Sequence, residues 1–568
     1  MLRARARLYY AAAAVTVGTL LAPRTVVAQF TEPPPAPAYA LSGVTLVRSD
    51  GSRLANQTIV VRNGFIQAMG ANVPVPPDAE LLSGDSLMVF PGFIDAQGAA
   101  KVEFPEVEIN RQEIEPWNPP RHVQGFMPHR RVVDFLAATG KDLEKQRLAG
   151  VVAGAVHPDG PVMPGRGAVL VNRKSADVPN GLVLNPELGP VFALQGARGA
   201  YPGTLFAVVA FIRQSLEDAW HHGAHVAAYR RDPRGLAAPP WDPDYEVLRT
   251  VMTGQVPVFF AADKAEDIRL VLRLAEEYGF SPIIVGGDEA WKVADPLKRR
   301  NVPVLVSLDF PEPKQWKPEK KKSEADEADS VAAQAPKPLD AAAEREKRDL
   351  EQLYANPGKL AAAGVRFALT SGGGKADLRQ GTRKAIEYGL GEADALRALT
   401  ATPAELLGAP SLTRIESGLP ATFVVADGPL FSDETKITYT FVEGALERGK
   451  PSAKPASGEA PAVDLTGTWT VDIDAGGEGM GGRMTLEQDG AEFSGTLVMD
   501  MGTMRIQGGA VSGSSFTCTW VLSMGGETME FEVKGTVEGD EASGTGGGPM
   551  GDFSWKARRA GTPERGNE

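Results

Sequence analysis

Residues Met88–Ala99 read Met-Val-Phe-Pro-Gly-Phe-Ile-Asp-Ala-Gln-Gly-Ala. An apolar run, a Pro-Gly break and a second apolar run end on Asp95. Gln97 and Ala99 then stand two residues apart. On an extended strand end that spacing sends both side chains to the same side. The stretch reads as a strand that delivers the chain to a site, and the rest of the sequence is arranged around it.

The chain has 568 residues, 43% hydrophobic and 23% charged, a globular composition too long for a single core. A net charge of −13 and a pI near 5.2 argue against a nucleic-acid partner. One cysteine, Cys518, leaves no intrachain disulfide. Residues 1–28 read as an export signal. Arg3, Arg5 and Arg7 precede the apolar run Tyr9–Leu21, and Val26-Val27-Ala28 suits a cleavage site. Residues 29–38, rich in Pro and Ala, read as a tether. No later run reaches 18 apolar residues, so no membrane span is expected after signal removal. The expected location is periplasmic or extracellular.

Working outward from Met88, residues 39–89 alternate short apolar runs with turns. Asn63-Gly64 between two of these runs is a hairpin signal. Residues 90–408 alternate strands with amphipathic helical segments. Val151–Val156, Val256–Phe260, Pro282–Val285, Val302–Ser307 and Val365–Leu369 read as buried strands. A charged, Pro- and Ala-rich insertion at about 314–348 reads as a disordered surface excursion. β character returns over 409–448, completing the first β unit, and 449–462 reads as a linker. Residues 463–558 carry some eight short strands with glycine-rich turns, and 559–568 reads as a disordered tail. The expected class is α/β: a (β/α)8 TIM barrel, a small composite β-sandwich domain from both its flanks, and a C-terminal antiparallel β-barrel.

The Met88–Ala99 stretch resembles the first barrel strand of the amidohydrolase superfamily, in its imidazolonepropionase-like branch. Further resemblance lies in Leu148–Val152 with Val156–Gly160, in Val256–Val258 with Ala265–Ile268, and in Ala363–Thr370. It continues through Ala398–Gly408 and Ile415–Ala421. The opening Gly467-Thr468-Trp469 resembles the first strand of lipocalin-like barrels.

The superfamily resemblance implies a divalent cation that activates water, with a strand-end aspartate moving the proton. It also implies where the ligands belong. Gln97 and Ala99 replace a histidine pair, Ala261 and Gly286 replace two further histidines, and Gly372 replaces the aspartate. All five carry no imidazole or carboxylate, so no metal ligand is assigned and no cofactor is expected. Six histidines exist. His221 and His225 share a helix face as a solvated pair or a metal pair. His122, His129 and His157 follow strands and fit either turns or the mouth. Asp263 and Asp288, with Glu289, follow strands and fit either the mouth or helix N-caps.

Three functions follow from this reading. The first is an exported, catalytically inactive relative of hydrolases of non-peptide C–N bonds, which binds a small molecule or scaffolds an active paralogue of the same fold. The second is an active C–N hydrolase with a non-standard site built on Gln97, His157 and Asp263, using zinc or another divalent metal. The third is small-ligand binding by the C-terminal barrel. Its methionines (480, 484, 499, 501, 504, 524, 529 and 550) would line a cavity or fill a core.

Overall fold

In a computed structural model of the chain, the described residues are 37–82, 86–100, 102–105, 114–137, 140–174, 179–311, 341–433, 435–449, 462–474, 479–499, 502–524, 527–548 and 551–560. The expected signal, most of the tether and the linker, and much of the insertion lie outside them.

The first five strands are β1 (Ala38–Val47), β2 (Arg53–Arg62), β3 (Phe65–Gly70), β4 (Ala79–Leu82) and β5 (Met88–Pro91). Asn63 and Gly64 both take positive φ, 52° and 86°, as a tight hairpin between β2 and β3 requires. After β6 to β15, described below, come β16 (Phe423–Ala426), β17 (Ile437–Val442) and β18 (Ala445–Arg448). They extend the same sheet in the order β18-β17-β16-β5-β1-β2-β3, with β4 beside β1. Pairing therefore gives one branched eight-stranded sheet in place of the expected two-layer sandwich. β1 is long enough to pair with β4 at its start and with β5 near its end.

Met88–Ala99 carries the chain from this sheet into the α/β region. β5 ends at Pro91 and β6 (Phe93–Asp95) follows one residue later. Gly92 makes the passage possible, because a Cβ there would sit 2.4 Å from Val152 Cγ2. β6 pairs in parallel with β7 (Val151–Val156). A second parallel set is formed by β11 (Pro190–Ala193), β12 (Val258–Ala262), β13 (Pro282–Gly286), β14 (Val304–Ser307) and β15 (Phe367–Thr370). Alternate residues of these strands face two different apolar layers. Ile94, Phe259, Ile283, Leu305 and Ala368 share one cluster, whereas Phe93, Phe260, Ile284, Val304 and Leu369 pack with the helices in another.

The strand order departs from the expected all-parallel (β/α)8 ring. β8 (Gly165–Arg166) and β9 (Ala168–Val171) flank Gly167. β9 pairs antiparallel with β7, and β8 pairs antiparallel with β11. The segment 165–171 thus bridges the two sheets while running against both neighbours. Chain length gives the reason. Only residues 157–164 separate β7 from β8, and Pro158, Pro161 and Pro164 lie among them. That is too short for the helical crossover a parallel strand needs, so the chain turns back. β10 (Val183–Asn185) pairs with β9 at the edge. Two helices, Leu205–Arg231 and Pro243–Met252, fall together between β11 and β12.

The helix Ala341–Ala363 begins inside the stretch expected as a loop. Residues 341–348 are therefore helical, because their Ala, Glu and Arg content favours helix when docking is available. The helix Gly140–Leu148 is tied to β18 by a buried ion pair, Arg147 Nε to Glu447 Oε2 at 2.9 Å. No helix among the described residues is long and apolar enough to cross a membrane.

The C-terminal region forms a closed antiparallel barrel of eight strands, as the glycine-punctuated pattern implies. They are β19 (Gly467–Asp474), β20 (Gly479–Asp489), β21 (Glu492–Met499), β22 (Gly502–Ser512), β23 (Ser515–Met524), β24 (Glu527–Glu538), β25 (Glu541–Gly548) and β26 (Gly551–Arg559). Arg559 and Ala560 thus belong to ordered structure, not to the expected tail. Trp469, Val471 and Ile473 alternate inward from exposed neighbours on β19. Trp469, Trp520 and Trp555 are fully buried together with Phe493, Phe516 and Phe531. Of the expected methionines, Met484, Met499 and Met504 join this core.

Candidate functional site

β6 runs parallel to β7, and β12, β13, β14 and β15 run parallel to one another, with hydrogen bonds joining the residues that end β6 to those that follow β15. Asp95 closes β6 and is 5% exposed. Its Oδ1 accepts the backbone N–H of Gln97 and that of Ser371, each at 3.1 Å. Burial pushes the Asp95 carboxyl above the ordinary aspartate range, against the pull of those two donors. The Gln97 carbonyl accepts the N–H of Gly373 at 2.8 Å and the hydroxyl of Ser371 at 3.2 Å. The Thr370 hydroxyl lies 3.5 Å from Gln97 Oε1. Sequence reading passed over Asp95 and Ser371. A buried aspartate two residues before Gln97, and the run Thr370-Ser371-Gly372-Gly373-Gly374, were the available signals.

His157 follows β7. Its Nε2–H donates to the Ala96 carbonyl at 3.0 Å, and its ring lies 4.5 Å from that of Phe259. Burial holds the imidazole down at about 4, so it is neutral near pH 7. Nδ1 is buried without a partner and faces Gly167, where a Cβ would stand 2.8 Å away.

The five positions that the resemblance assigns to ligands and base are filled in different ways. Ala261 at the end of β12 is open to solvent. Gly286 has φ +94°, and a Cβ there would meet Asp263 Oδ1 at 1.9 Å. Gly372 has φ +66°, and its Cβ would meet Ser307 Oγ at 2.6 Å. Ala99 packs where a Cβ on Gly374 would lie, at 2.4 Å. Gln97 is engaged as described.

Asp263, Asp288 and Asp309 follow the consecutive strands β12, β13 and β14. Burial, then the charges of Asp263, Glu289 and Asp309, push Asp288 up to about 6. Desolvation also raises Asp263. Asp309 lies 4.0 Å from Lys375. The N-cap reading of Asp263 and Asp288 fails. The helix Ala265–Tyr278 begins after Lys264, and its Ala265 N–H is taken by Glu289 Oε2 at 3.0 Å. A carboxylate from the next strand end does the capping, which local sequence does not show.

His222 Nε2 meets the Pro240 carbonyl at 2.8 Å and His225 Nε2 meets that of Ala237 at 3.1 Å. His225, one member of the i, i+4 pair with His221, thus holds the following loop together with His222. His129 Nδ1 lies 2.5 Å from Asp244, which also accepts from Arg121 at 2.9 Å. His122 is exposed on a short helical turn, Arg121–Gln124.

The donors present do not fit the cation that the resemblance implies. An amide, two methyl groups and two bare backbones stand at the positions that the resemblance assigns to its ligands and base, and His157, which follows β7, uses its Nε2–H on a carbonyl. Among the described residues, no three of His, Cys, Asp and Glu are grouped to hold an ion.

No protein-family model matches the sequence, and neither does any curated protein. The fold is similar to that of an amidohydrolase from Thermotoga maritima MSB8, with TM-score 0.56 and 21% identity over 72% of this chain and 100% of that one. A looser likeness (TM-score 0.43, 16% identity, 73% of this chain and 100% of the other) joins it to a prolidase complexed with N-methylphosphonate-L-proline. A Xaa-Pro dipeptidase with bound methionine gives TM-score 0.41 and 14% identity, over 72% and 100% of the two chains. The likeness to the Thermotoga maritima protein is one of fold.

Proposed function

We propose that this protein is an exported, amidohydrolase-fold relative of C–N bond hydrolases that does not perform their metal-assisted reaction, and that it binds a small molecule at the strand-end mouth or scaffolds an active paralogue. One observation carries this reading. The strand frame is in place while Gln97, Ala99, Ala261, Gly286 and Gly372 supply neither a Lewis-acid site nor a base. The exposure of Ala261, and the Thr370 hydroxyl 3.5 Å from Gln97 Oε1 at other strand ends, support a ligand role for the mouth. The export part rests on the basic and apolar pattern of residues 1–28.

The test is metal content and hydrolysis together. The purified full chain is expected to hold no stoichiometric zinc or manganese and to leave a panel of cyclic amides, dipeptides and amines intact. Stoichiometric metal, with hydrolysis lost on chelation, overturns the reading and installs the non-standard hydrolase in its place.

A further inference from the structure

We infer that in this chain the junction between the first and last strands of the α/β region is closed by the Asp95 carboxylate without need of a bridging cation, and that packing at Gly286 and Gly372 bars ligand side chains from returning. The inference rests on the reading above that no metal occupies the mouth. It goes further, because it says what holds the strand ends together and why restoring ligands does not restore a site.

β6 and β15 belong to different sheets, with no ladder between them among the described residues. A cation bound at both strand ends would tie them, and its binding free energy would enter folding. Here the ties are hydrogen bonds. Asp95 Oδ1 receives Ser371 N–H from the far strand and Gln97 N–H from its own, and so orients the Gln97 carbonyl toward Gly373 and the Ser371 hydroxyl. Ser371 Oγ in turn accepts the N–H of Gly374 at 2.7 Å, which fixes the glycine turn. Removing the carboxylate strands two buried N–H groups at once.

The glycines make the exchange one-way. A histidine at 286 meets both a left-handed backbone and the Asp263 carboxylate, and an aspartate at 372 meets a left-handed backbone and Ser307 Oγ. Gln97 and Ala261 carry no such bar, since both already have side chains and Ala261 is open.

The test is thermal melting of the full chain, with and without excess dipicolinate, alongside D95A and D95N. Dipicolinate is expected to leave the wild-type Tm in place. D95A is expected to lower it by about 5 °C, and D95N by less because an amide oxygen still accepts. Should D95A fail to fold, D95L, which keeps the volume and removes the acceptor, decides. A Tm of D95A or D95L equal to that of the wild type overturns the clasp, whatever the metal content. G286H and G372D are expected to melt well below Q97H and A261H and to take up no zinc when zinc is added. Native-like melting of either with stoichiometric zinc overturns the one-way packing. A wild-type Tm that falls with dipicolinate counts against the metal-free reading, and D95A or D95L melting in the chelated protein then judges the clasp separately.

Discussion

The carboxylate of Asp263 occupies the space that a side chain on Gly286 would need. An ideal Cβ at 286 would stand 1.9 Å from Asp263 Oδ1, closer than any van der Waals contact allows. The two residues end adjacent strands, β12 and β13, whose register aligns Ala262 with Gly286. G286A should therefore lose on two counts. The left-handed φ of +94° costs about 1 kcal/mol for any residue with a Cβ, and displacing Asp263 costs about 1–3 kcal/mol more. In a D263A background only the first cost should remain. Urea melts of the two single variants and the double variant measure the coupling. Equal losses for G286A in both backgrounds would show that Asp263 yields freely.

That pairing marks how far the sequence could be read. The strand assignments of 151–156, 256–260, 282–285, 302–307 and 365–369 follow from apolar run length, and the structure places a strand on each. The closed C-terminal barrel was legible for the same reason, since glycine turns punctuate alternating strands. The reversed segment 165–171 was not legible, because its direction depends on how short the preceding connection is and not on its own residues. The site divided in the same way. Gln97, Ala261 and Gly286 were reached only through the superfamily resemblance, and each lies at or next to the end of its strand. The Asp95–Ser371 contact spans 276 positions and no local pattern announces it. Glu289 as the cap of another strand's helix was hidden for that reason too.

His157 and Asp288 titrate with opposite effects on stability. Burial holds His157 at about 4, below its ordinary 6.5, so the folded state resists the proton that the unfolded chain accepts. Its stabilisation is full above pH 6.5 and drains away as the pH falls toward 4. Asp288 sits at about 6, above its ordinary 3.8, so its contribution is full below pH 3.8 and lost as the pH rises through 6. Over pH 4–6 the two slopes oppose one another. H157F, which keeps a ring against Phe259, should flatten the acid loss by about 2–3 kcal/mol. D288N should stabilise the protein above pH 6 by about 1 kcal/mol, discounted because the group is part-solvated. Denaturant midpoints from pH 4 to 8 read both. An H157F curve parallel to the wild type would refute the assignment for His157.

Arg147 and Glu447 join the α/β region to the edge of the branched sheet across 300 residues of sequence. Their side chains are 5% and 11% exposed, and Arg147 also lies 3.4 Å from the carbonyls of Asn172 and Arg173. A buried pair of this kind contributes little over an apolar pair of equal size, but a lone partner is costly. R147A and E447A should each lose about 3–5 kcal/mol, and the double variant R147M/E447L far less than their sum. Strictly additive losses in the cycle would show the two groups to be independently satisfied.

The interior of the C-terminal barrel is occupied by rings. Trp555 lies 5.7 Å from Phe516 and 5.9 Å from Trp520, and Phe493 lies 5.4 Å from Phe516. Room for Trp555 comes from Gly535 on β24, where a Cβ would meet its Cζ2 at 2.6 Å. Cys518 is buried in the same core, and burial pushes its thiol up to about 12, so it is unreactive near neutral pH. An eight-stranded barrel has an interior that side chains can just fill, and three indoles with three phenyl groups are buried in this one. The full chain should therefore leave an apolar fluorophore dark. W555A should lose about 3–5 kcal/mol in the barrel's melting transition. It should also acquire fluorophore binding, because a cavity lined by Phe516 and Trp520 stays dry and accepts apolar guests. Saturable binding by the wild type would instead identify a ligand cavity in the barrel.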